Sequence, residues 1–209
     1  MYKHLNSYYL IFALSITLSS CLSTANFETG RTVGKGNYKN DIALSHIDYS
    51  PSGIDINFPE DYFNINLGGV YGLSKRIDIG GNVSTSGEIG IKTKFMLTKP
   101  KSLFAASIGS SFYFYMAMFD PHYLHTNLAV YTSLHPIKEI TIYAYPQLLF
   151  FPKNSELEIG RSITTGIMYN YINSTTSQKR FSLAIEYCNV TYNKVYNQNT
   201  WSIGLILYQ

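Results

Sequence analysis

From Tyr62 onward the chain alternates apolar and polar residues with period two, which limits it to strands presenting one dry face and one wet face. In Tyr62–Tyr71, Phe63, Ile65, Leu67, Gly69 and Tyr71 form one face, and Tyr62, Asn64, Asn66 and Gly68 form the other. Ile77, Ile79 and Val83 alternate with Arg76, Asp78, Gly80 and Asn82, and Ile89, Ile91, Phe95 and Leu97 with Glu88, Gly90, Lys92 and Lys94. Further stretches of strand character run near Tyr38–Tyr49, Leu103–Tyr115, His122–Leu134, Glu139–Phe151, Leu157–Tyr171, Phe181–Tyr192 and Thr200–Tyr208, giving ten strands. The first and eighth are the least regular. The first changes phase near His46, as a β-bulge would cause.

Composition decides what kind of sheet this is. Charged residues are 14% of the chain and aromatic residues 15%, against about 25% charged in an average soluble domain. A mean hydropathy of -0.03 is far too polar for helical membrane spans, each of which needs about 20 mostly apolar residues. The uncharged stretch Leu103–Phe119 is the one candidate for such a helix. Gly109-Ser110-Ser111 interrupts it, and Phe104, Ala106, Ile108, Phe112 and Phe114 alternate with smaller or polar residues. A lipid-tethered soluble β-sandwich would also show regularly spaced strands. Its edge strands and outer faces would be wet, whereas here nearly every strand carries an apolar face. The expectation is an all-β fold, an antiparallel up-and-down transmembrane β-barrel of ten strands.

The connections fit that expectation, because outer-membrane barrels have short periplasmic turns and longer outer loops. Gly72-Leu73-Ser74-Lys75, Thr98-Lys99-Pro100-Lys101 and His135-Pro136-Ile137-Lys138 follow the second, fourth and sixth strands, so all three fall on one side. The longest loop, Ser50–Asp61, and the loop Asn193–Asn199 fall on the other. An even strand number returns the carboxyl terminus to the side on which the first strand begins.

The first twenty residues have the parts of a bacterial export signal: Lys3, an uncharged core from Tyr8 to Leu18, and small residues before a cysteine. The junction Leu18-Ser19-Ser20-Cys21 resembles the lipobox of bacterial lipoproteins, which implies cleavage before Cys21 and its acylation, with palmitate among the chains. The division expected is 1–20 signal peptide, 21–36 lipidated periplasmic tether and 37–209 barrel. Several acyl chains on one residue suffice for stable anchoring. Cys188 is the only other cysteine, so lipidation of Cys21 excludes an intrachain disulfide.

Two segments carry a family resemblance. Phe27-Glu28-Thr29-Gly30-Arg31-Thr32-Val33-Gly34-Lys35-Gly36 resembles the opening of outer-membrane β-barrel lipoproteins of Gram-negative bacteria, where a short tether leads into the first strand. Tyr71-Gly72-Leu73-Ser74-Lys75-Arg76-Ile77-Asp78-Ile79-Gly80 is similar to the tight periplasmic hairpin of those barrels. The resemblance implies the fold and an outer-membrane location with the amino terminus anchored on the periplasmic side. Many such barrels end in an aromatic residue, whereas this sequence ends Leu207-Tyr208-Gln209.

Chemistry-bearing motifs are sparse. Asp120, His122 and His125 could together hold a metal or activate a hydroxyl at a barrel rim. The simpler reading makes Asp120-Pro121 a turn and points His125 into a polar lumen. Cys188 has no lysine or histidine close in sequence to activate it. Gly34-Lys35-Gly36 lacks the rest of a phosphate loop and reads as a flexible lead-in to the first strand. By parity Arg76, Asp78, Glu88, Lys92, Lys94 and Glu186 form a charge network in the lumen, where Tyr62, Tyr113, Tyr115, Tyr123, Tyr131, Tyr143 and Tyr145 add bulk. Ten strands lie near the size at which side chains fill a barrel, so the lumen is expected to be plugged.

No catalytic site, metal site or cofactor is expected. The net charge of +3 becomes +2 once Lys3 leaves with the signal, and no basic run exceeds two residues, which gives no reason to expect a nucleic-acid partner. The expected function is non-enzymatic: a structural or accessory barrel of the envelope whose partners are membrane lipids and a larger outer-membrane assembly. The alternatives are a small outer-membrane enzyme acting on lipid or peptide at the rim, and a narrow solute channel.

Overall fold

Strands with one apolar and one polar face can hide both their edges and their polar side by closing into a ring. The computed structural model, which describes residues 27–51, 61–115, 124–153, 156–172, 179–192 and 196–209, shows that closure. Ten strands run β1 (Tyr38–Pro51), β2 (Asp61–Gly72), β3 (Ile77–Ser84), β4 (Glu88–Met96), β5 (Phe104–Tyr115), β6 (His125–Ile137), β7 (Ile140–Lys153), β8 (Glu156–Ile172), β9 (Lys179–Tyr192) and β10 (Tyr196–Tyr208). Each pairs antiparallel with the next, and β1 pairs with β10 to close the barrel. At that seam Tyr38 and Gln209 exchange both backbone hydrogen bonds, at 2.9 and 3.0 Å. The up-and-down barrel of ten strands read from the alternation is the fold observed.

The outward face is apolar. Ile77, Ile79, Ile91, Leu183, Ile185, Ile203 and Leu205 are exposed, and Ile89 is partly so. With Ile42, Leu44, Ile108, Val130, Ile142, Ile163 and Ile167 they make a continuous apolar wall. Water does not tolerate an apolar surface of that extent; a bilayer requires one. Aromatic residues border it at two levels. Tyr38 lies tilted against Tyr71 at the end bearing the β2–β3 turn, with ring centroids 4.7 Å apart, and Tyr171 stacks near Phe181 at 4.9 Å. Higher up, Phe63 lies beside His46 at 5.1 Å and Trp201 beside Tyr187 at 4.8 Å. Phe63 and Tyr71 are eight residues apart on β2, or roughly 20 Å along the barrel axis for a strand tilted by about 40°.

Three details differ from the sequence reading. β1 has no bulge at His46: its register to β2 and β10 is unbroken, and Lys39, Asp41, Ala43, Ser45 and Ile47 all face inward. The apparent phase change arises because apolar Ile47 points into a lumen that is itself partly apolar. β6 continues through His135-Pro136 to Ile137, with a register shift against β7 in place of the longer turn. β10 begins at Tyr196, inside the stretch assigned to the last loop. The signal segment 1–20, Cys21, Asp120, His122 and Tyr123 lie outside the described residues, as do the side chains of Tyr62 and Tyr115.

Strand length varies around the ring. β3 has 8 residues and β8 has 17, so the wall is low at β3–β4 and tall at β7–β8. The tight connections after β2, β4 and β6 gather at the end where β1 begins, called the turn end below.

Candidate functional site

The lumen at the turn end is filled by the chain's own residues 27–33, running inside the barrel ahead of β1. The stretch read as a tether through Gly36 is thus, from Phe27, an internal plug. It joins no ladder; inward side chains of the wall satisfy its backbone instead. The Phe27 N–H donates to Glu186 Oε2 at 3.1 Å, the Gly30 N–H to Ser133 Oγ at 3.1 Å, and the Val33 N–H to Asp78 Oδ2 at 3.1 Å. In return Ser107 Oγ donates to the Gly30 carbonyl at 2.6 Å, and Lys94 Nζ to the Arg31 carbonyl at 2.9 Å. At Gly30 a Cβ would strike the Ala105 carbonyl, so the chain passes the wall only because that residue has none.

Glu28 is the centre of the arrangement. It is 3% exposed, and its carboxylate meets Lys39 at 3.2 Å, Lys92 at 2.9 Å and Lys94 at 2.6 Å, all three lysines themselves buried. Asp41 lies 3.8 Å from Lys39, and Asp78 lies 3.5 Å from Lys94. Three cations thus face three carboxylates. An ion buried alone would cost several kcal/mol or more, so the plug and the wall need each other: Glu28 is the carboxylate that all three lysines share.

Above the plug the lumen is closed a second time. Phe27 belongs to a buried cluster with Ala43, Ala129, Tyr131, Tyr143, Tyr145, Met168, Ala184 and Ile206. Tyr131 and Tyr145 lie 5.2 Å apart, and the Tyr143 hydroxyl donates to Glu186 Oε2 at 3.1 Å. A second cluster of Leu149, Cys188 and Val190 lies beyond, on strands β7 and β9. Cys188 is buried between these aliphatic neighbours.

Of the six charges assigned to the lumen, Asp78, Lys92, Lys94, Glu88 and Glu186 are buried there. Asp78, Lys92 and Lys94 join the plug cluster, Glu186 holds the Phe27 amide, and Glu88 sits at the opposite end of β4. Arg76 is the correction: it is exposed in the turn, because β3 starts at Ile77 and strand parity has no meaning before it. Sequence reasoning missed Glu28, Lys39 and Asp41. The inward parity of Lys39 and Asp41 with Ser45 could have shown two of them; Glu28 lies ahead of any period.

His125 is buried on the luminal side of β6, as read from the sequence, and stacks with Tyr113 at 4.7 Å and Phe151 at 5.4 Å. No group of three or more His, Cys, Asp or Glu among the described residues is placed to hold a metal ion. A concavity of about 1060 Å³ lies on the outer wall, lined by residues such as Phe95, Ile108, Leu128, Val130 and Leu148, a surface for lipid chains. A cavity of about 540 Å³ opens at the turn end between plug and wall.

No family model matches the sequence, and no curated protein matches it. Among solved structures the chain is similar to an outer-membrane channel of Pseudomonas putida F1, with TM-score 0.55, 5% identity, and coverage of 89% of this chain and 100% of that one. It is also similar to Ail, the attachment invasion locus protein of Yersinia pestis, with TM-score 0.38, 11% identity, and coverage of 84% and 99%. Neisserial surface protein A gives TM-score 0.41, 10% identity, and coverage of 83% and 99%. Identities this low establish a shared fold, that of outer-membrane β-barrels, and nothing about activity.

Proposed function

We propose that the protein is an outer-membrane lipoprotein, a self-plugged β-barrel with a structural or accessory role in the Gram-negative envelope. The observation that carries this reading is Glu28, held by Lys39, Lys92 and Lys94 in the middle of a plug that belongs to the chain itself. A channel keeps its axis open or blocks it with something that can leave at small cost. Here an ion cluster, a set of backbone hydrogen bonds and a tyrosine layer would all have to be disrupted. The catalytic alternative finds no support at the plug, where Glu28, Asp78 and Glu186 face lysines, plug amides or a tyrosine hydroxyl.

The lipobox at Leu18–Cys21 supports the anchor. Cys21 precedes Phe27 by six residues, a span of at most about 20 Å, so the acylated residue is tied closely to the plug. In this reading the turn end faces the periplasm. Replacing Cys21 with Ala is expected to abolish fatty-acid labelling and to leave unprocessed precursor. Labelling that persists in the variant overturns the lipoprotein assignment. Co-purification of the tagged protein from native membranes separates the two roles: stable companions establish an accessory subunit, and their absence a self-sufficient structural barrel.

A further inference from the structure

The cavity of about 540 Å³ at the turn end is lined by Arg31, Lys39, Lys94, His135 and Arg180 with no acidic residue among its walls. We propose that it is a binding site for a phosphate-bearing organic anion. Three observations point there. First, the basic groups are not equally engaged. Lys39 and Lys94 already bond Glu28, and His135 bonds Ser133 and Thr141 through its two ring nitrogens. Arg31 gives one bond, from Nη2 to the Ser102 carbonyl at 2.6 Å, while its buried Nε has no partner. Its guanidinium therefore keeps donors, and a guanidinium fork matches phosphate oxygens. Arg180 is exposed at the start of β9, on the same cavity.

Second, the exposed charges of the rim around the opening are nearly all of one sign. Lys35, Lys75, Arg76, Lys99, Lys101 and Lys138 are all exposed at this end, and Glu139 is the one acidic residue described in its turns. A cleft set in such a rim concentrates anions and favours a dianion over a monoanion. Third, the size falls in the range of small-molecule sites, about 300 to 1,000 Å³. Inorganic phosphate would leave most of the space unfilled, whereas Tyr38 and Tyr208 offer apolar surface to an organic body. The plug supplies five of the thirteen residues that line the cavity, Arg31 among them, so a barrel without it would lack the site.

The proposal rests on the periplasmic orientation above only for the side from which the ligand arrives. The phosphate can belong to a soluble ester or to the headgroup of an anionic phospholipid. The test titrates glycerol 3-phosphate into the full-length protein in detergent by calorimetry. It then repeats the titration in nanodiscs of phosphatidylcholine with and without phosphatidylglycerol. Saturable binding is expected, weakened at least tenfold by Arg31→Gln and by Arg180→Gln and unchanged by Arg161→Gln, a residue exposed on β8 away from the cavity. Arg180 is on the surface, so its variant keeps the test valid if Arg31→Gln does not fold. Binding that survives phosphatidylglycerol identifies a soluble ester. Binding that is kept in phosphatidylcholine discs and lost in phosphatidylglycerol discs identifies the headgroup as the occupant, and either result supports the site. No saturable binding in detergent, or binding unchanged in both arginine variants, overturns it. That failure would leave fatty-acid labelling at Cys21, and with it the lipoprotein reading, untouched.

Discussion

The ring of Phe27 lies directly on Gly204 of β10, where an added Cβ would overlap it. The plug is therefore fitted to the wall by shape as well as by charge. Gly204→Ala should destabilise the barrel by about 1 to 3 kcal/mol, the usual cost of overpacking a filled core. In a Phe27→Ala background the same substitution should cost much less, since the clash is then gone. Unfolding midpoints of the two single variants and the double variant check this. Additive losses would show that ring and glycine do not meet.

Glu28→Gln keeps the volume of the side chain and removes the charge that three buried lysines share. Breaking a buried ion pair from one side costs about 3 to 5 kcal/mol, and a loss of that order is expected in denaturant unfolding. Adding Lys94→Gln should recover part of it, because one uncompensated cation is removed with its partner. An unfolding midpoint equal to that of the unsubstituted protein would mean that Asp41 and Asp78 alone balance the cluster.

How much of this was legible in the sequence follows from what makes a signal periodic. A strand exposed to lipid on one side and to a polar lumen on the other must alternate, so all ten strands were visible, as was the burial of Asp78, Lys92, Lys94, Glu88 and Glu186. The rule that apolar residues face outward fails at Ile47, which is fully buried in the lumen, and an imagined bulge was the result. Arg76 was misplaced because parity was carried past the end of a strand. The plug left no trace: its backbone is satisfied by scattered side chains such as Ser107, Ser133 and Asp78. Nothing local about Phe27-Glu28 distinguishes an internal segment from a tether.

The outward wall makes a simple asymmetry testable. Ile91 is 54% exposed in the middle of β4, whereas Thr200 on β10 is fully buried inside. Arg at position 91 should cost roughly 2 to 4 kcal/mol in a bilayer. Thr200→Ser, a polar change facing the lumen, should cost well under half of that. Folding titrations in lipid vesicles measure both. Equal tolerance at the two positions, or solubility of the delipidated protein without detergent, would contradict a membrane-spanning wall.

The two closures of the lumen predict how it conducts. The plug seals the turn end through Glu28, and Tyr131, Tyr143 and Tyr145 with Phe27 form a second layer behind it. Eight-stranded barrels are filled by side chains and open pores appear at around sixteen strands, so a ten-stranded ring has little space to spare. In a planar bilayer the full-length protein should show no steady porin-like conductance. Deleting residues 27–33 alone should still give none, because the tyrosine layer remains on strands β6 and β7. Adding Tyr143→Ala and Tyr145→Ala to that deletion should produce small, flickering steps, as both layers are then breached. Large, regular steps from the unaltered protein would show that the plug leaves the barrel readily, and the narrow-channel reading would replace the structural one.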